Sequence, residues 1–201
     1  MGSLQELSIR LSTLAVFREL QEDAVINSLR KYLAEPSPAL YALFVSALYR
    51  ANGGILGAYV REICENSENV YVQAVGKKEE IPAYLREAVL EELKTLQMTA
   101  ELTPETLRSA MEYRGFLPGF VSEAPDIKAC YTERTANIGK YGYGIYAKNR
   151  MFYLGENAEI VPVSNPDKTE LSDLVDYARE RRSSSITQRR CLRVNLRRTF
   201  C

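Results

Sequence analysis

The chain has no histidine and no tryptophan among its 201 residues. The first absence excludes imidazole-activated nucleophiles and histidine metal sites. Cysteine occurs four times, at Cys64, Cys130, Cys191 and Cys201, widely spaced and never as C-x-x-C. That spacing argues against a disulfide framework or a zinc site, and a reducing cytoplasm is the expected location. No apolar run reaches the roughly 18 residues that a membrane span needs. The opening MGSLQELSIRL has no basic stretch leading into an apolar core, so it does not read as a secretory signal. No G-x-x-x-x-G-K-[ST] occurs anywhere, so the glycines at 139, 142 and 144 do not make a phosphate loop. Net charge is also absent, with 26 basic against 26 acidic residues.

That balance hides an asymmetry. Residues 179–201 hold eight Arg and one Glu, a net of +7, while the preceding residues carry the compensating −7. A shift this abrupt marks a tail of different role or origin. Elsewhere, 46% hydrophobic content is ample for a core, and 26% charged is ordinary for a soluble protein.

Helical stripes fill residues 1–115. Ser3 and Glu6 fit a capping box ahead of Leu4, Leu7, Leu11 and Leu14. Asp23 precedes a stripe of Val25, Ile26, Leu29, Tyr32 and Leu33. Ser37–Pro38 is a cap followed by proline at the first helical position, with Leu40, Leu43, Phe44, Ala47, Leu48 and Ala51 expected inward. Gly53–Gly54 stops that helix, and Leu56, Tyr59, Val60 and Ile63 begin the next. The piece NVYVQAV, Asn69 to Val75, fits a strand or a helix. Leu85, Val89, Leu93 and Leu96 line a long helix, and Thr103–Pro104–Glu105 caps another with Leu107, Ala110 and Met111 inward. These leucines read as core of an antiparallel helical array. The adjacent Glu91 and Glu92 make a poor acid–base pair, because neighbours on a helix do not face one another.

The texture changes after Gly115. Pro118, Gly119 and Pro125 mark 116–139 as a linker. Residues 140–182 begin with the Tyr- and Gly-rich KYGYGIYAKNRMFYLGENAEIVPV. Met151 to Leu154 and Glu159 to Val163 read as short strands around a Gly155–Glu156–Asn157 turn. Alternating Tyr with Lys140 and Lys148 would also suit base stacking, but Tyr-rich strand packing is the commoner cause. A helix should start near Thr169, with Leu171, Leu174, Val175 and Ala178 as its stripe. The expected class is therefore mainly α: a helical array followed by a small α+β segment.

Four stretches, in this order and spacing, resemble a family of uncharacterised bacterial ATP-binding proteins of the AAA type. They are YRANGGILGAYVREICENSENVYVQAV, LREAVLEELKTLQ, KYGYGIYAKNRMFYL and VPVSNPDKTELSDLVDYARERR. The resemblance covers most of residues 14–182 and implies a lead-in to a P-loop α/β ATPase domain that is absent here. It implies ATP and Mg²⁺ as ligands of the full-length protein, and self-association through an intact ATPase domain. Within such a domain Leu174, Val175, Asp176 and Tyr177 would lie against the adenine. Without a phosphate loop and Mg²⁺ ligands, this chain should be inactive alone.

The sequence departs from the family at Ser183. With a G ending codon 182, the tail SSSITQRRCLRVNLRRTFC can be written in codons that, shifted by one base, give VIIDNTKALLEGKPAANVL. That peptide resembles what the family places before its phosphate loop, including an Asn–Thr pair. Third-position bases are free in this exercise; the others are largely dictated by the residues present. One lost base near codon 182 would produce the observed tail. Residues 183–201 then have no fold of their own, because Ile186, Leu192, Val194, Leu196 and Phe200 among five arginines bury too little to offset ordering costs of roughly 1–2 kcal/mol per residue. The alternative is a helical interaction module with a native basic arm that binds nucleic acid through phosphates.

Overall fold

Asp23, Ser37, Asn69, Thr103 and Asp126 each stand at the head of a helix in the computed structural model of the chain, which describes residues 2–142, 152–155 and 159–163. The helices of the first unit are α1 (Gly2–Ser12), α2 (Ala24–Ala34), α3 (Pro38–Asn52), α4 (Leu56–Glu65) and α5 (Val70–Lys77), then α6 (Ala83–Ala100), α7 (Pro104–Arg108), α8 (Ile127–Ala136) and α9 (Ile138–Tyr141). A 3-10 turn at Arg18–Gln21 joins α1 to α2. The second unit contributes β1 (Phe152–Leu154) and β2 (Ile160–Pro162), an antiparallel pair with Tyr153 opposite Val161. The class is thus mainly α with a small sheet after the helices. Among the described residues no helix is long and apolar enough to cross a membrane.

Local chemistry explains most boundaries. The Asp23 carboxylate accepts from the N–H groups of Val25 and Ile26, both at 3.0 Å, satisfying donors that the first turn leaves free. Ser37 accepts from Leu40 N–H, with Pro38 at the first helical position. At the other end of α3, Gly53 takes φ +79° and Gly54 φ +103°, which halts the helix and turns the chain into α4. The 69–75 ambiguity resolves as helix. Asn69 Oδ1 accepts from Val72 N–H at 3.0 Å, and Lys78 closes α5 with a left-handed φ of 59°. The first helix already includes Gly2, ahead of the expected Ser3 cap.

The core of the first unit is one apolar cluster. Helix α2 packs against α1 and α3, and α6 lies against α1, α4 and α8. Leu7, Leu11, Leu29, Leu33, Val60, Leu93 and Leu96 are fully or nearly fully buried, as their spacing predicts. Two inward faces differ from the expectation. On α3, Leu43 and Ala51 are exposed, while Tyr41 and Val45 join Phe44 and Leu48 in the core. Tyrosine can take that place because its hydroxyl finds a carbonyl there. Helix α7 ends at Arg108, so Ala110 falls in the following turn and is exposed.

The stretch read as a linker, 116–139, is in part helical. Its α8 buries Ile127, Tyr131 and Thr135, and Phe17 meets the Tyr131 ring edge-on at 5.3 Å. Arg134 fixes α8 to the end of α4 by donating to the Glu65 carbonyl at 2.6 Å and to Asn66 Oδ1 at 2.9 Å. Gly57 permits the matching approach at the head of α4. A Cβ there would sit 1.8 Å from the Glu123 carbonyl oxygen.

Candidate functional site

The residues proposed to meet a nucleotide, Leu174, Val175, Asp176 and Tyr177, lie outside the described residues. So do the helix expected from Thr169, most of the Tyr- and Gly-rich stretch, the 156–158 turn and the tail at 183–201. The candidate surface within the first unit is different, and it is built around residues 117–121.

That segment runs extended across α3 and the head of α4. Tyr41 and Tyr49, eight residues apart and so on neighbouring faces of α3, both aim hydroxyls at its backbone. Tyr41 donates to the Pro118 carbonyl at 2.9 Å, and Tyr49 donates to that of Gly119. From α7, Arg108 Nη2 donates to the carbonyls of Leu117 at 2.7 Å and Pro118 at 3.0 Å. Its guanidinium lies 5.9 Å from the Tyr41 ring centroid, within cation–π range. Phe120 meets Phe44 edge-on at 5.5 Å. Beyond it, Val121 N–H donates to the Gly54 carbonyl at 2.8 Å and Leu56 N–H to the Val121 carbonyl at 3.1 Å, an isolated parallel bridge. The tight turn at Gly54 lets this happen, since the Tyr49 ring packs where a Cβ would stand.

Nearby polar groups are engaged structurally. Tyr32 donates to the Leu107 carbonyl, and burial pushes its hydroxyl pKa up to about 12. Burial likewise raises Tyr41, against the opposing pull of Arg108. Tyr59 donates to Asp23 Oδ2 at 2.5 Å while Oδ1 of the same carboxylate caps α2, so both oxygens are taken. Burial, helped by that carboxylate, raises Tyr59 strongly. Tyr131 is raised by burial and accepts from Asn69 Nδ2 at 3.2 Å. Cys64 and Cys130 carry free thiols, and burial holds Cys64 well above the ordinary thiol range, which makes it inert.

Glu91 and Glu92 part company, as helix geometry requires. Glu91 pairs with Lys94 at 2.5 Å on the surface. Glu92 turns inward and its carboxylate accepts from three successive backbone N–H groups: Ala15 at 2.8 Å, Val16 at 3.1 Å and Phe17 at 2.9 Å. It ties α6 to the turn after α1. Two surface grooves of about 560 Å³ flank the unit. One is floored by Leu4, Leu33, Pro36 and Met111, the other by Leu90, Leu93 and Met98 beside Lys94 and Lys128. No group of three or more Cys, Asp or Glu suited to a metal ion occurs among the described residues.

The tyrosines and Arg108 around 117–121 were missed by sequence reasoning. The available signal was Tyr41 within an apolar stripe, a polar-tipped aromatic where an aliphatic would suffice. Comparison of the chain with protein-family models, curated proteins and solved structures finds no match in any of the three.

Proposed function

We propose that this chain is the N-terminal portion of an AAA-type ATP-binding protein, in which the helical unit is an interaction domain ahead of the ATPase domain. The observation that carries this reading is the order and spacing of the four resembling stretches, from Tyr49 to Arg182. The helical unit followed by a short antiparallel pair at 152–162 agrees with that order. In the full-length protein ATP would be held with Mg²⁺ by a glycine-rich loop whose backbone N–H groups and helix N-terminus converge on phosphate. Leu174, Val175, Asp176 and Tyr177 would contribute adenine contacts. The chain as it stands lacks that loop and is inactive alone; its location is cytoplasmic.

Residues 183–201 are, on this reading, the product of one lost base near codon 182. The test is the genomic DNA downstream of that codon. It should encode, in the restored frame, VIIDNTKALLEGKPAANVL and then a loop ending in Gly–Lys–Ser or Gly–Lys–Thr. A second reading, a helical module with a nucleic-acid-binding arm, is favoured by the +7 charge of residues 179–201. It requires DNA or RNA binding that weakens steeply with salt and disappears on truncation after Arg182.

A further inference from the structure

We propose that α3 and the head of α4 form a binding groove for an extended peptide, and that residues 117–121 occupy it in cis as an intramolecular competitor. This goes beyond the ATPase reading and does not depend on it.

The argument rests on what the groove recognises. The carbonyls of Leu117, Pro118, Gly119 and Val121 are each met by a donor from outside the segment: Arg108, Tyr41, Tyr49 and the Leu56 N–H. The Val121 N–H is met by the Gly54 carbonyl. One side chain, Phe120, is read by a specific aromatic partner, Phe44. Leu117 and Phe120 are only partly buried, and Val121 is 47% exposed. The groove therefore reads backbone plus a single aromatic. This is the chemistry of strand-addition recognition, where main-chain bonds give affinity and one pocket gives selectivity. Any extended segment with the pattern apolar–Pro–small–aromatic–β-branched presents the same groups. The proline limits the chain entropy lost on docking.

The occupant is tethered, so a competing peptide faces a high effective concentration. Its apparent affinity is its intrinsic affinity scaled by the fraction of open groove. Weakening the cis segment should thus strengthen binding in trans. The partner that fits is an exposed extended peptide of this pattern on another protein.

The first measurement is amide exchange on the wild-type 201-residue chain. The Val121 and Leu56 amides, which close the bridge, should exchange at least ~100-fold faster than the interior amides of Val45 and Leu48, through a local opening that leaves α3 intact. The second is an NMR titration with the synthetic peptide FLPGFVSE, the sequence of residues 116–123. Signals of Tyr41, Phe44 and Tyr49 should move at millimolar peptide. Phe120→Ala should tighten peptide binding about tenfold by emptying the groove, and Tyr49→Phe should weaken it. If Phe120→Ala does not fold, the wild-type titration decides alone. Exchange of Val121 and Leu56 at the rate of the α3 interior would overturn the proposal. So would groove signals that stay fixed at millimolar peptide.

Discussion

Replacing Glu92 tests how the first unit is held together. Its carboxylate accepts from the N–H groups of Ala15, Val16 and Phe17, at 2.8, 3.1 and 2.9 Å. Hydrogen bonds to a charged group contribute about 1.5–3 kcal/mol each, but three bonds to one carboxylate do not add fully, and water can reach the exposed Ala15 N–H. The Phe17 side chain is fully buried, so its part-buried N–H has the least chance of a replacement partner. Glu92→Ala should therefore cost about 2–4 kcal/mol, a large share of the stability of a domain this size. Glu92→Gln keeps an acceptor oxygen and loses the charge, so about 1 kcal/mol is expected. Glu91→Ala is the internal control: its partner Lys94 is solvent-exposed, and such pairs contribute under about 1 kcal/mol. Urea unfolding followed by circular dichroism gives all three values with the same slope. A Glu92→Ala midpoint indistinguishable from that of Glu91→Ala would refute the reasoning.

Three further outcomes follow from the same contacts. Gly57→Ala should destabilise by about 1–3 kcal/mol, because the new methyl collides with the Glu123 carbonyl and must push backbone aside; thermal unfolding would reveal it. Stability should be intact below pH 10 and fall between pH 10 and 12, since the unfolded chain releases the Tyr32 proton near 10 and the folded chain holds it to about 12; tyrosinate absorbance and circular dichroism should change together, and full tyrosine ionisation with native dichroism at pH 11 would contradict this. Limited proteolysis should leave a stable fragment that includes Ala136, because Ile127 and Tyr131 belong to the core; early cutting inside 127–136 would count against it.

Much of the helical unit was legible in the sequence because its signals are local. Asp23, Ser37–Pro38, Thr103–Pro104 and Gly53–Gly54 act within four residues, so the boundaries of α2 and α3 and the start of α7 follow from side-chain chemistry alone. The errors come from long-range partners. Leu43 looks as apolar as any core residue, yet Tyr41 takes the inward place because its hydroxyl meets Pro118, 77 residues away. Pro118, Gly119 and Pro125 suggested a linker, but they shape an extended strap, and the following α8 carries its buried residues at only Ile127, Tyr131 and Thr135. The alternation in 69–75 suited a strand equally; the Asn69 cap and the left-handed Lys78 decide for helix. The nucleotide residues 174–177 lie outside the described residues, so their reading rests on resemblance.

Calorimetric titration with Mg²⁺·ATP tests the central claim most directly, run on this chain and on the full-length protein expressed with its frame restored after Arg182. The account predicts saturable, Mg²⁺-dependent heat for the restored protein and none for the 201-residue chain. Tight binding by the 201-residue chain, or a restored frame that binds no ATP, would contradict it.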